Sequence, residues 1–478
     1  MTTIAYKTRF APSPTGYVHL GNVRTALFSA LLARHHNGVF LLRIEDTDLE
    51  RSTPEYTRAL QEDLRWLGLD WQEGPEVGGA HAPYAQSERG AIYQGYFEAL
   101  ERAGLAYPCF CSERELELAR KVQRAAGQPP RYPGTCARLT PEQVQAKRDQ
   151  GLRSTLRFRV PRGRRVEFDD LVRGRQSFAT DDIGDFIIRR GDGTPAFFFC
   201  NAVDDALMGV THVLRGEDHL TNTPRQMLLL EALGLRVPAY GHIAMIVGPD
   251  GSPLSKRHGS RSVRELRAAG YLPGAVINYL ARLGHYYERD IYMDLDTLAA
   301  HFDIARLGRA PARYDESQLL RWQREAVAHA HADGLWLWMG AEVHALVGQD
   351  AVGEFVELVR ENITFPADAL HWARVMFTDQ LELTPEAEAI VLRAGQAFFR
   401  HALDTWDVHA GDFKDWTTAL KDVAGVKGKA LFEPLRVALT GQVQGPELRR
   451  VVELMPAARV QKRLETCLTL CAGHASLT

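Results

Sequence analysis

The sequence predicts a split α/β domain with a parallel sheet, interrupted by an inserted module and followed by an all-helical half. Three observations predict it. Strand and helix signals alternate through the first hundred residues, an order that favours parallel strands with helices packed on them. The pattern changes after Tyr107 and returns near Ala196. From about Val263 onward nearly every segment has helical periodicity, with no repeat and no low-complexity tract.

The elements follow in order. "TRFAP" reads as a strand and Val23 to His36 as a helix with apolar spacing. "GVFLLRIEDTD" reads as a second strand, buried on both faces by its continuous apolar run. Pro54 to Leu67 and Ser87 to Ala103 read as helices. A cysteine-bearing loop, the link "AGQPPRYPGTC" and arginine-rich strands make up the insertion. Sheet is expected again over "AFFFCNAVDDALMGVTHVLRGEDH", then a helix from Thr223 to Leu233 with Thr223 as N-cap and Pro224 at the first helical position. "GHIAMIVGPDGSPLSKRHGS" reads as a strand, a turn at Pro249-Asp250-Gly251 and a polar loop.

The bulk numbers bound the answer. A chain of 478 residues is long for one core, so two to four domains are expected. With 45% hydrophobic and 24% charged residues, the composition is that of a soluble globular protein. The net charge of −3 does not announce a nucleic-acid binder. The run "RSTLRFRVPRGRRVEFDDLVRGR", Arg153 to Arg175, is either a solvated face or a phosphate-contacting surface. Six cysteines in this length do not suggest a disulfide scaffold. Cys109 and Cys111 form a tight pair; Cys136, Cys200, Cys467 and Cys471 are scattered. The first residues carry no apolar core with a cleavage site, and no apolar run approaches a bilayer span. A cytoplasmic monomer without membrane contact is expected.

Two loops carry the chemistry. In "SPTGYVHLGN" a strand feeds a helix through a glycine-containing turn, which places backbone N–H groups and the helix dipole where phosphate binds well. It is not the G-x-G-x-x-G fingerprint, so no dinucleotide is implied. Gly21 lets a flat ring lie against the backbone. His19 is placed to donate to a phosphate oxygen as charge develops, or else merely shapes the turn. In "DGSPLSKRHGS" the adjacent cations Lys256 and Arg257 either close over a triphosphate or form an exposed basic hairpin.

Together these loops resemble the two signatures of class I aminoacyl-tRNA synthetases, the HIGH type in "HLGN" and the KMSKS type in "PLSKR". "TRFAPSPTGYVHLGN", "RIEDTD", "YAQSERGAIY", "NAVDDALMGVTHVLRGEDH" and "LFEPLRVALTG" narrow the resemblance to the bacterial glutamyl-tRNA synthetase family, over almost the whole chain. The resemblance implies a Rossmann-type catalytic domain over 1–108 and 200–262, an α+β acceptor-end-binding insertion over 109–199, a stem-contact helical domain over 263–330 and a helical anticodon-binding domain over 331–478. It implies that glutamate attacks the α-phosphate of ATP and that the terminal ribose hydroxyl of tRNA takes the acyl group. Magnesium would accompany the triphosphate. Activation in this family usually waits for tRNA.

The family's glutamate pocket maps onto Arg9, Ser13, Glu45, Asn201 and Arg215. Arginine suits a doubly acidic substrate because its planar fork grips carboxylates and keeps its charge. Glu45 would hold the ammonium group. Either the substrate or a structural acid must partner Arg9 and Arg215, because an unpaired buried guanidinium is costly. The ATP site maps onto Ser13, Thr15, Gly16, His19, Gly21, Asn22, Glu217, Leu254, Ser255, Lys256 and Arg257, with His19, Gly21 and Lys256 at the chemistry. Tyr314, Arg321 and Trp322 are expected at the inner stem of the tRNA.

Four departures from the family pattern stand out. Pro253 replaces the first lysine of the second signature, removing one cation and stiffening the loop. Phe197 stands where a pocket tyrosine is common. Cys109, Cys111 and Cys136 have the family's zinc spacing, but Arg138, which cannot ligate, stands at the last ligand position; either a zinc with a distant fourth ligand or a lost site follows. Asn362 falls where relatives that refuse tRNA(Gln) carry an arginine. The expected partners are therefore L-glutamate with tRNA(Glu), tRNA(Gln), or both. The shorter relative that modifies a base of aspartate tRNA lacks the helical half present here. A non-catalytic RNA-binding paralogue is the rival of a different class. The many polar groups around one cleft argue against it.

Overall fold

The computed structural model describes residues 6–254 and 261–475. The chain folds into two compact units. The first takes the chain as far as Ala268 together with Val276–Leu319; the second takes Ala269–Ala275 and the chain from Leu320 onward.

The first unit is built on four parallel strands. β1 (Lys7–Phe10) pairs in parallel with β2 (Val39–Leu42). β8 (His212–Gly216) pairs in parallel with β9 (Ala239–Ile243). Reciprocal bonds between Lys7 and Thr211 join the two pairs, with Thr211 N donating to Lys7 O at 2.9 Å. Helix α1 (Leu20–His35) crosses between β1 and β2 and is buried nearly all round, as its Leu/Ala-rich sequence requires. It begins three residues earlier than its apolar spacing suggests, so Gly21 and Asn22 lie in its first turn and His19 is its N-cap. α2 (Pro54–Trp66) is capped by the Thr53 hydroxyl with Pro54 at its start. α3 (Gly90–Arg102) then leads into the insertion.

The insertion holds an antiparallel sheet of β3 (Ala106–Cys109), β4 (Thr155–Phe158) and β7 (Phe186–Arg189), and a hairpin of β5 (Arg165–Asp170) and β6 (Gly174–Ala179). Helices α4 (Glu113–Ala125) and α5 (Pro141–Asp149) start in capping boxes, and α6 (Thr180–Ile183) is a single turn.

Two expectations are corrected beyond it. Phe197–Leu207 is helix α7, not sheet. Its apolar run, "FFFCNAV", cannot distinguish a buried strand from a buried helix, and every residue from Phe199 to Asp205 is buried, so no period marks the helix. Helix α8 (Thr223–Ala232) has Asn222 at the N-cap and Thr223 inside its first turn, because the Thr223 hydroxyl is engaged by Arg215 and His242 instead. The short strand β10 (Ile246–Val247), paired with β11 (Ala312–Arg313), and helices α9 (Val263–Ala268), α10 (Pro273–Arg282) and α11 (Leu295–Ala300) follow.

After α12 (Glu316–His329), the second unit is helical throughout, from α13 (Ala332–Met339) to a final helix at Ala457–Ala475. Phe355, Trp372, Phe399, Trp406, Trp416 and Leu464 share its apolar core. No helix among the described residues is long and apolar enough to cross a membrane.

Candidate active site

One cavity of about 600 Å³ opens at the carboxyl ends of the parallel strands, where open α/β sheets bind ligands. β1 carries Arg9, β2 leads to Glu45, β8 carries Arg215, and His19 caps the start of α1. All four line the cavity, with Ser13, Thr15, Gly21, Asn22, Phe197, Asn201 and Leu254. Sequence-predicted residues far apart in the chain thus share one wall. Space beside Gly21 is open: a Cβ there would meet no atom within 4 Å. Gly16 and Glu217 are not on the wall. The Glu217 carboxylate pairs with Arg173 and accepts from Met245 N at 2.9 Å.

Lys256, Ser255 and Arg257 lie outside the described residues. The residues on either side do meet the cavity. Pro253 and Leu254 line it, and Ser262 forms a backbone bridge with His19.

Beneath the wall is a buried ion network that the sequence reading missed. Arg43, fully buried, donates to Glu45 at 2.9 Å and to Asp205 at 2.8 Å. Arg9 Nε donates to both Asp205 oxygens at 3.2 and 3.3 Å, and its Nη1 to Leu214 O. Arg89 and Tyr93 satisfy Asp204. Asn201 donates to Glu45 at 2.6 Å, oriented in turn by Gln226. The doublet Asp204-Asp205 and the arginine of "RIEDTD" were the available signals, one helical turn from Asn201 and two residues from Glu45.

Arg215 differs from these arginines. It is 5% exposed, and its Nε and Nη2 donate to neutral acceptors, His242 Nε2 at 3.2 Å and Thr223 Oγ1 at 2.7 Å. Its Nη1 has no hydrogen-bond partner among the described residues. Burial, with Arg9 nearby, lowers its pKa from 12.5 to about 10. A buried cation on a cavity wall whose hydrogen bonds go only to neutral acceptors suits an anionic guest. Glu45 offers the complement. Burial raises its pKa despite Arg43 and Asn201, so an incoming cation would stabilise its charged form. The cavity lining therefore carries both a buried cation and a buried carboxylate. The N-terminus of a 16-residue helix stands beside them, where phosphate oxygens bind.

A family model, tRNA synthetases class I (E and Q), catalytic domain, matches residues 5–321. The chain belongs to this family. A second model, an anticodon binding domain, matches residues 326–468 of the synthetase. Among curated relatives, a glutamate–tRNA ligase 2 of Nitrosococcus oceani is 63% identical over 98% of this chain and 99% of its own length. A glutamate–tRNA ligase 1 of Halorhodospira halophila is 58% identical over 99% and 98%. A solved glutamate–tRNA ligase from Elizabethkingia meningosepticum, in complex with its amino acid, superposes with a TM-score of 0.86 at 28% identity, covering 98% of this chain and 99% of that one.

Outside the cavity, Cys109, Cys111 and Cys136 come together with their sulfurs within 4.8 Å of one another. Arg138, at the missing fourth position, is exposed. The Tyr132 hydroxyl lies 3.4 Å from Cys109 Sγ and 3.5 Å from Cys111 Sγ. Of the residues expected at the tRNA, Tyr314 is buried in the first unit beside Tyr279, and Trp322 is buried in the second with Arg321 stacked on its ring. Asn362 is exposed, at the end of a single turn over Arg360–Asn362.

Proposed function

We propose that the synthetase ligates L-glutamate to the 3′ end of tRNA(Glu) and of tRNA(Gln). The observation that carries the amino-acid assignment is that Arg215, whose hydrogen bonds go only to neutral acceptors and whose Nη1 has no partner among the described residues, lines the same cavity as Glu45. In this reading Arg215, with Arg9, takes the side-chain carboxylate, and Glu45 with Asn201 holds the ammonium group. The α-carboxylate oxygen attacks the α-phosphorus of ATP, the bond to the bridging oxygen breaks, and pyrophosphate leaves. The ribose hydroxyl of the tRNA terminus then attacks the adenylate carbonyl and releases AMP. His19 and the first turn of α1 receive the phosphates, and Lys256 would add a second cation; magnesium bound with the triphosphate would supply further charge neutralisation.

The second tRNA rests on Asn362. Its neighbour Arg360 cannot substitute for a base-reading arginine, because its Nη1 donates to the Ala328 and Ala330 carbonyls at the end of α12 and its Nη2 to Glu357. Zinc fits the cysteine cluster. A tetrahedral thiolate site with Zn–S near 2.3 Å has sulfurs about 3.8 Å apart, and Cys111 and Cys136 are 3.7 Å apart. Among the described residues, the Tyr132 hydroxyl is in reach as a fourth donor. Such a metal would tie β3 to the following link.

Charging of purified tRNA(Glu) and tRNA(Gln) side by side tests the reading: both are expected to accept glutamate. Exclusive use of tRNA(Glu) removes the second substrate. RNA binding without glutamate-dependent pyrophosphate exchange would leave a non-catalytic RNA-binding protein.

A further inference from the structure

Arg215 is aimed by a buried chain of groups that the reaction itself does not use. Arginine only donates hydrogen bonds. Because its Nε points at His242 Nε2 at 3.2 Å, that nitrogen must be the unprotonated one. The proton then sits on His242 Nδ1 and is donated to Asp170 at 2.5 Å. Thr223 Oγ1 accepts from Arg215 at 2.7 Å and donates to His242 Nε2 at 3.0 Å, which closes a triangle. Asp170 is fixed in turn by the backbone N–H groups of Val172 at 2.9 Å, Arg173 at 2.7 Å and His242 at 3.2 Å. These bonds hold it as an anion: burial alone would raise its pKa, but the bonds to His242 and the backbone leave it below the ordinary value. His242 and Asp170 are both buried.

We infer that His242, locked in one tautomer by Asp170, is a positioning residue for amino-acid binding: it directs Arg215 into the cavity without neutralising it. A carboxylate in its place would hold Arg215 as firmly but would compete with the substrate for the charge. A neutral imidazole gives direction and leaves the cation available. Asp170 ends the hairpin strand β5 and His242 lies on β9, so the insertion contributes directly to the geometry of the pocket. The inference rests on the glutamate reading above.

The test is Asp170→Asn in the full-length enzyme. The amide can donate to Nδ1, which drives the imidazole proton to Nε2, where it would face the donors of Arg215 and Thr223. The KM for glutamate is expected to rise at least about tenfold, while the KM for ATP and kcat at saturating glutamate stay within about threefold. His242→Gln keeps an acceptor near Arg215 and should retain a glutamate KM close to that of the parent, whereas His242→Leu should not; this pair reads the same question if Asp170→Asn fails to fold. Equal rises in both KM values, an unchanged glutamate KM, or indistinguishable His242→Gln and His242→Leu enzymes would overturn the inference. A parent enzyme that forms no Glu-tRNA would overturn the functional reading, and the inference with it.

Discussion

Replacing Arg215 by methionine should separate its role from that of every other buried arginine in the cleft. Methionine keeps much of the volume and removes the charge. Leaving the substrate carboxylate without its buried cation costs ~2–5 kcal/mol, or ~30- to ~4000-fold in kcat/KM for glutamate. The KM for ATP should not move comparably. Stability should respond in the opposite sense. A pKa lowered by burial from 12.5 to about 10 corresponds to ~3 kcal/mol of unfavourable burial in the folded protein. Methionine relieves it. The loss is confined to two neutral acceptors, His242 and Thr223, which still bond to each other, at about 1 kcal/mol. The apo variant should therefore be as stable as the parent or more so, by up to ~2 kcal/mol. Arg43→Met should behave in the reverse way. It leaves Glu45 without a guanidinium and Asp205 with Arg9 alone in a fully buried site and should lose ~3–5 kcal/mol. Urea unfolding of both variants, with kcat/KM for glutamate and for ATP, makes the comparison. If Arg215→Met lost more than ~3 kcal/mol, or impaired ATP and glutamate alike, Arg215 would be a structural cation and the reasoning would fail.

Two further perturbations probe other parts of the first unit. Asp63, with one carboxylate oxygen buried and without a hydrogen-bond partner among the described residues, has a pKa raised to about 6 by burial, against the opposing pull of Arg264 and Arg267. Its charged form therefore opposes folding at neutral pH, so Asp63→Asn should stabilise by about 1 kcal/mol at pH 7.5 after allowance for partial solvent screening. That gain should shrink as pH falls through 6 and vanish below the unfolded value near 3.8, as thermal melts across the range would show. The protein purified without chelator should carry about one zinc per chain, and Cys136→Ser should bind it at least about tenfold more weakly, read by elemental analysis and competition with a chromogenic chelator.

The strand-loop-helix opening of the chain was legible because its turn residues and its apolar spacing agree. Arg9, Glu45, Asn201 and Arg215, scattered over two hundred residues, could be gathered only through the family resemblance, and they do line one cavity. What escaped has a physical cause in each case. α7 reads as sheet because its continuously buried run, polar residues included, erases the period that distinguishes helix from strand. Arg43 and Asp205 looked like ordinary charges, since nothing in a sequence reports that two residues 162 apart meet in a dry interior. Thr223 fitted an N-cap by position, yet its hydroxyl is taken by Arg215 and His242. His242 lies in an apolar strand, where a lone histidine is most simply a satisfied core residue; its importance comes from Asp170, in another module.

Pyrophosphate exchange in the presence of tRNA, with glutamate and glutamine supplied in turn, tests the role of the unpaired guanidinium most directly. Glutamine has the same shape and lacks the charge that Arg215 would bind. Exchange with glutamate exceeding that with glutamine by at least about a hundredfold in kcat/KM, a difference of ~3 kcal/mol, is the predicted result. Comparable exchange with both amino acids would mean that the cavity does not select its guest through Arg215.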